Sequence, residues 1–182
     1  MKILNERGYC FTNAHKDIIC DIKEKLCYAD LTEGISIIQK IYESPDGRTI
    51  TVGQERFMCI DPLFNPALVG LECKNLPEMI VNSVMGIDIC IRNDLLRNIC
   101  LCGGNTLFPG FCERLEKELN KIIDTETWTK ARVIVTDNMS RMETVWIGGS
   151  ILGSLTTSGT SFWISKEEYD EEGPVIVHKR CF

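Results

Sequence analysis

Three observations predict an α/β chain. Residues 99–102 form an apolar run long enough for a buried strand and too short for a helix. Gly103 and Gly104 follow, and from Pro109 to Ile123 the apolar residues Phe111, Cys112, Leu115, Leu119 and Ile122 recur at helical spacing, with Glu113, Arg114, Glu116, Lys117 and Glu118 on the other face. Residues 131–135, Ala-Arg-Val-Ile-Val, read as a further β-branched strand, so strands and helices alternate along the chain. Strand, glycine pair and helix bring backbone N–H groups and a helix N-terminus together at the carboxyl end of a strand, a place suited to a nucleotide. Many strand-to-helix turns carry glycines for steric reasons alone. No Gly-Lys-Ser/Thr follows the pair and no G-x-G-x-x-G spacing is present, so neither a Walker A loop nor a dinucleotide fingerprint is read here.

The other elements follow in order. Residues 9–13 read as a strand end leading into a helix over 16–28, with Thr12 or Asn13 able to cap it. Ile18, Ile19, Ile22 and Leu26 make its apolar face, and Asp21 and Lys25 an i,i+4 pair worth only ~0.3–0.5 kcal/mol. A second short helix is expected over 31–41. Residues 42–52 form a hairpin turning at Pro45-Asp46-Gly47. A helix starts at Gln54 and should end before Pro62. Residues 65–71, Asn-Pro-Ala-Leu-Val-Gly-Leu, are an apolar loop, buried if it serves only the core. Residues 76–84 should be helical with Pro77 in the first turn, 87–91 a short strand or turn, and 94–97 a helical turn. Pro109 is expected in the first turn of the central helix. Residues 125–130 and 136–142 read as connections, 146–155 as a helix packed at Gly148-Gly149, and the stretch from Ser165 as a last helix.

Composition sets bounds. A net charge of −6 argues against non-specific nucleic-acid binding. The longest apolar runs fall far below the ~18–20 residues that span a bilayer, and the N-terminal residues lack the apolar core of a signal peptide. A cytosolic or nuclear chain is the expectation. Ten cysteines without an export signal read as reduced thiols acting as small buried hydrophobes. Cys100 and Cys102 are expected on one buried strand face. With no Cys-x-x-Cys and only His15 and His178 available, no metal site is expected. Cys181, next to the end, is expected to be exposed and reactive.

Residues 103–110, Gly-Gly-Asn-Thr-Leu-Phe-Pro-Gly, resemble the Gly-Gly-x-Thr-x-Tyr-Pro-Gly loop of actin. Glu6-Arg-Gly-Tyr-Cys-Phe11, residues 21–28, Pro45-Asp-Gly47, Gly53-Gln-Glu-Arg-Phe57, Val145-Trp-Ile-Gly-Gly-Ser-Ile-Leu152 and Trp163-Ile-Ser-Lys166 resemble actin too, and residues 168–182 resemble its C-terminus almost letter for letter. The chain is identified as a member of the actin family, matching the C-terminal half of an actin-type molecule.

The resemblance implies the C-terminal half of the actin-type nucleotide-binding fold, the ribonuclease H-like architecture shared with chaperone ATPases and sugar kinases. Residues 1–71 would correspond to the small subdomain, 72–143 to its supporting α/β subdomain, and 144–182 to the tail that belongs to the other large subdomain. Actins bind ATP or ADP with Mg or Ca between two domains and hydrolyse ATP slowly, chiefly once polymerised. The implied contacts are Lys23 and Glu24 at the adenosine, Gly103, Gly104 and Asn105 in the loop, Leu107 and Phe108 against the base, and Met142 where the family carries a lysine over the base. Taken without the resemblance, Lys23 and Glu24 read as two solvated helix charges. Cys20 stands where actins carry an arginine. Each of these two replacements removes a contact of ~0.5–2 kcal/mol.

Ile151, Leu152, Leu155, Thr157 and Phe162 match the groove that receives amphipathic helices from actin regulators, with Ser158-Gly-Thr-Ser161 altered beside it. Residues 65–71 match a loop that helps hold filament strands together. Other actin or actin-like subunits and actin-binding proteins are the implied partners, in the cytoplasm and cytoskeleton or the nucleus, with no nucleic acid or membrane. Both phosphate loops and the groups that position the attacking water belong to the half that is not matched, so no catalytic residue and no competent ATPase are expected of this chain alone. The alternative is a divergent actin-related protein that serves as a nucleotide-independent binding or scaffold module. A third, a metal or redox protein built on the cysteines, would carry stoichiometric zinc.

Overall fold

The computed structural model describes residues 1–31, 39–123, 128–135, 141–155 and 163–180. They divide into two compact units, residues 1–142 and 143–182.

The first unit opens with helix α1, Lys2–Glu6. Residues 9–13 contain no strand. Instead Thr12 caps a 3-10 turn, Asn13–His15, its backbone N–H donating to His15 Nδ1 at 3.2 Å. Helix α2, Lys16–Leu26, follows, with the Lys25 ammonium 2.7 Å from Asp21. Strands β1, Lys40–Glu43, and β2, Thr49–Val52, pair antiparallel across the expected turn, where Gly47 takes φ +80°. The helix expected over 31–41 is therefore wrong at its end. Lys40 and Ile41 pair with Val52 and Thr51, and the period-two alternation that exposes Ile41 and buries Tyr42 belongs to a strand. Residues 32–38 lie outside the described residues. Leu4, Ile22, Tyr42, Ile50 and Val52 close a small core between these elements, and the Tyr42 hydroxyl donates to Asp21.

Helix α3, Glu55–Met58, is shorter than expected, and Pro62 sits inside the next 3-10 turn, Asp61–Leu63. Helix α4, Leu76–Met85, has Pro77 in its first turn and begins at a capping box: Glu78 N–H donates to Asn75 Oδ1 at 2.9 Å, and Asn75 N–H to Glu78 Oε2 at 3.2 Å. Residues 87–97 correct the expected strand-or-turn and separate helical turn. Asp88 accepts from the Cys90 N–H at 2.8 Å, and a single helix, α5, runs from Ile89 to Arg97. Strand β3, Ile99–Leu101, helix α6, Phe111–Ile122, and strand β4, Val133–Val135, form a parallel strand pair with α6 as the crossover. The main core gathers Ile60, Phe64, Val81, Val84, Leu96, Phe111, Leu115 and Leu119, in which α4 packs on α5 and α6.

The second unit holds α7, Thr144–Leu155, α8, Lys166–Glu172, and α9, Val177–Arg180. Ser165 and Glu168 form the capping box of α8, and Arg180 and Lys179 pair with Glu168 and Glu172. Helix α7 has no buried residue, and a Cβ added at Gly148 or Gly149 would meet nothing within 4 Å, so the expected packing at this glycine pair is corrected. Among the described residues no helix is long and apolar enough to cross a membrane.

The cysteines depart furthest from expectation. Of the nine described, only Cys27 is buried and Cys112 half-buried. Cys100, in β3, and Cys102, just past its end, are both exposed, and it is Ile99 and Leu101 that turn to the core. Cys181 lies outside the described residues, as does Ser158-Gly-Thr-Ser161.

The 65–71 loop is likewise not buried. It forms a 3-10 turn, Pro66–Val69, closed by Gly70 at φ +76°, and leaves Leu68 and Leu71 61% and 57% exposed. Apolar side chains held outward on a structured turn favour association. The chain is expected to self-associate at tens of micromolar, and the double substitution Leu68→Asp, Leu71→Asp to reduce this. Light scattering checks it, and a stable monomer would count against it.

Candidate functional site

The candidate residues come from three separated stretches of the first unit. Lys23 and Glu24 sit at the end of α2. Gly104, Asn105 and Leu107 form a 3-10 turn after β3, and Phe108 ends it. Met142 lies just past the buried Arg141. Helical periodicity places Lys23 and Glu24 on the polar side of α2, while Ile22 faces the core.

These seven residues line one cavity of about 370 Å³, within the range of about 300–1,000 Å³ usual for small-ligand sites. One wall is apolar, from Leu107, buried Phe108 and the Met142 thioether. Lys23 and Glu24 add charge to the lining. The Lys23 ammonium donates to Asn105 Oδ1 at 2.8 Å and stands 5.4 Å from the Phe108 ring centroid, which ties α2 to the turn. Gly104 completes the lining: a Cβ there would point toward Met142, 3.8 Å from its Cγ and 3.9 Å from its Sδ. Gly103, singled out with the others, does not line the cavity. It takes φ +91°, a conformation that favours glycine, and lets the chain turn into the 3-10 segment. Cys20, on the same helix as Lys23, is exposed and does not line the cavity either.

Three residues that build the site were given no role from the sequence, although Thr106 and Gly110 are letters of the matched loop. Thr106 closes the turn, its hydroxyl donating to the Gly103 carbonyl at 2.8 Å. Arg141 braces it from the other side: its guanidinium donates to the Thr106 carbonyl at 3.0 Å, and its own carbonyl accepts from the Gly103 N–H at 2.9 Å. A buried arginine stem leaves no periodicity to read. Gly110 is the third. It adopts φ +79°, and a Cβ there would fall 2.5 Å from the Ala29 carbonyl oxygen. Ala29 N–H donates to the Pro109 carbonyl at 2.8 Å, so the chain leaving α2 is stitched to the turn entering α6. For that reason α6 begins at Phe111 with Gly110 as its cap, and Pro109 lies before the helix instead of in its first turn. A glycine after a proline does carry a turn signal, but the close approach to Ala29 appears only in three dimensions.

Among the described residues, no three His, Cys, Asp or Glu side chains gather as a metal site. In the second unit, Ile151, Leu152 and Leu155 lie on α7 at 54%, 52% and 72% exposure. Ile151 and Leu155, four residues apart, share a helix face. Thr157 and Phe162 lie outside the described residues. Compared with known families, residues 4–182 match the family model described as Actin.

Proposed function

Because this chain belongs to the actin family, we propose that it contributes the adenosine-binding side of an actin-type nucleotide cleft, together with surfaces for actin-like subunits and actin-binding proteins. Family members usually bind ATP or ADP with a divalent cation. The observation that carries the reading is the gathering of Lys23, Glu24, Gly104, Asn105, Leu107, Phe108 and Met142 around one cavity.

The residues fit an adenosine. Leu107 and Phe108 offer an apolar wall suited to a purine face. The Glu24 carboxylate is an acceptor suited to ribose hydroxyls, and the Lys23 stem can cover apolar surface while its ammonium stays polar-paired. Gly104 leaves room that any side chain would fill. When bound, the nucleotide supplies the phosphates and the cation accompanies them. This chain's residues bind and orient the nucleoside, and no catalytic residue is assigned.

In this reading residues 1–71, 72–143 and 144–182 correspond to the small subdomain, its support and the returning tail, and the chain supplies the C-terminal half of the fold. Ile151, Leu152, Leu155, Thr157 and Phe162 serve the partner groove, and the cytoskeleton is the site of action. One observation favours a second reading, a nucleotide-independent scaffold: an exposed Met142 at the cavity cannot supply the cation that a lysine would.

Equilibrium titration with a fluorescent ATP analogue tests the proposal. The isolated chain is expected to bind feebly, because its net charge of −6 repels the phosphates and no second wall holds them. Glu24→Ala is expected to weaken what binding there is by about 1–3 kcal/mol. Sub-micromolar affinity in the isolated chain would exclude the half-cleft reading, and an unchanged affinity in Glu24→Ala would remove the assigned ribose contact. Nucleotide-stimulated assembly separates the two readings, since the scaffold form would assemble or bind partners equally well without nucleotide.

A further inference from the structure

We propose that Arg97, Lys130 and Arg132 form a binding site for a small ligand that carries two or more phosphate groups. The three side chains line one cavity of about 600 Å³, which shares no residue with the adenosine cavity. Its volume falls within the range of about 300–1,000 Å³ usual for small-ligand sites.

The backbone fixes the three residues beside one another although they are far apart in sequence. Arg97 ends α5, and the Arg132 N–H donates to the carbonyl of its neighbour Leu96 at 2.9 Å. The Arg132 carbonyl accepts from the Ile99 N–H at 3.3 Å. Ala131, between Lys130 and Arg132, is held by Asn120 of α6: its N–H donates to Oδ1 at 2.8 Å, and its carbonyl accepts from Nδ2 at 3.2 Å. One residue earlier, the Thr129 N–H donates to Asn93 Oδ1 at 3.2 Å. The segment that carries Lys130 and Arg132 is thus tied to both α5 and α6.

The fold does not use the three charged heads. Arg97, Lys130 and Arg132 are exposed, and among the described residues none of these side chains has an ion-pair or hydrogen-bond partner. Glu116, the one acid in the lining, is engaged, its Oε2 accepting from the Val133 N–H at 3.2 Å. The cavity therefore sets three cations against one anion in a chain of net charge −6. This local reversal of sign attracts an anion, because charges elsewhere on the chain are screened beyond about 8 Å at physiological salt. Guanidinium forks match phosphate oxygens bidentately, and the lysine adds a point charge. A lone carboxylate would neutralise a single cation, whereas two phosphates can meet all three. The lining holds no aromatic side chain, so a protein partner would find no hot-spot anchor there.

Fluorescence anisotropy with labelled inositol trisphosphate tests the site, with unphosphorylated inositol as competitor control. Saturable binding is expected, weakened roughly tenfold or more in the double variant Arg97→Gln, Arg132→Gln. The pair Lys2→Gln, Lys74→Gln removes the same charge from exposed positions outside the cavity and is expected to change affinity by less than about twofold. Gly104→Val, which alters only the adenosine cavity, is expected to leave trisphosphate binding unchanged. Flotation with phosphatidylcholine vesicles containing phosphatidylinositol bisphosphate distinguishes the sources of the phosphates. Recruitment that the double variant loses assigns a lipid headgroup, and binding of free trisphosphate without recruitment assigns a soluble ligand. The proposal is overturned if trisphosphate binds no better than inositol, if the control pair loses as much affinity as the double variant, or if Gly104→Val abolishes binding.

Discussion

Gly110→Ala is expected to destabilise the first unit by roughly 2–4 kcal/mol. Two costs add. Alanine at φ +79° loses about 1–2 kcal/mol to the left-handed conformation. Its Cβ would also lie 2.5 Å from the Ala29 carbonyl oxygen, which is backbone and cannot swing aside. Relief requires parting the chain leaving α2 from the turn entering α6, which breaks the 2.8 Å bond between Ala29 N–H and the Pro109 carbonyl. Urea unfolding measures the effect as a lower midpoint at constant slope. Gly47→Ala is the internal control. It sits at φ +80° with nothing within 4 Å of an added Cβ, so it carries only the conformational cost. Equal losses at the two positions would show that the close approach to Ala29 contributes nothing.

Gly104→Val is expected to do the opposite, leaving the fold intact and removing adenine-nucleotide binding. Gly104 does not need a positive φ, and an added Cβ meets only Met142 at 3.8–3.9 Å, an ordinary contact with a flexible side chain. The valine methyls would then occupy the cavity between Leu107, Phe108 and Met142. Binding in an actin-type molecule with both sides of the cleft is expected to fall at least 100-fold, which corresponds to about 2.7 kcal/mol. The urea midpoint should shift by less than ~0.5 kcal/mol equivalent. Titration with the fluorescent ATP analogue reads the first quantity, and unchanged affinity would show that the nucleotide does not approach this backbone. Together the two glycines separate a structural role from a ligand-facing one within a single loop.

The candidate cavity was legible in sequence only through a resemblance. Two glycines between a strand and a helix have a steric explanation as good as a nucleotide, and Lys23-Glu24 on a polar helix face would pass for solvated charges. The matching loop at 103–110 joined these distant stretches, and the fold brings seven of the eight residues together while leaving Gly103 as the hinge of the turn. Arg141 stayed invisible and Gly110, though a letter of the matched loop, had no readable role, because both act through contacts with segments far apart in the chain; the role of Thr106 is a local bond to the Gly103 carbonyl within the matched loop.

What the sequence by itself determined were the features that depend on neighbours along the chain. The 3.6-residue apolar period of α6, Pro77 in the first turn of α4 and the Pro45-Asp46-Gly47 turn all appear where local chemistry puts them. Family membership was equally legible, because it rests on letters in order. The tertiary structure alone decided which side chains are covered. Apolar character made the cysteines look like core and left Leu68 and Leu71 open between core and surface, yet burial depends on whether another layer lies above them, and composition does not record that. It also merged residues 89–97 into one helix through the Asp88 cap, and turned Lys40 and Ile41 into strand by pairing them with Val52 and Thr51. Short segments have weak local preferences of a few tenths of a kcal/mol per residue, so a single cap or cross-strand partner outweighs them.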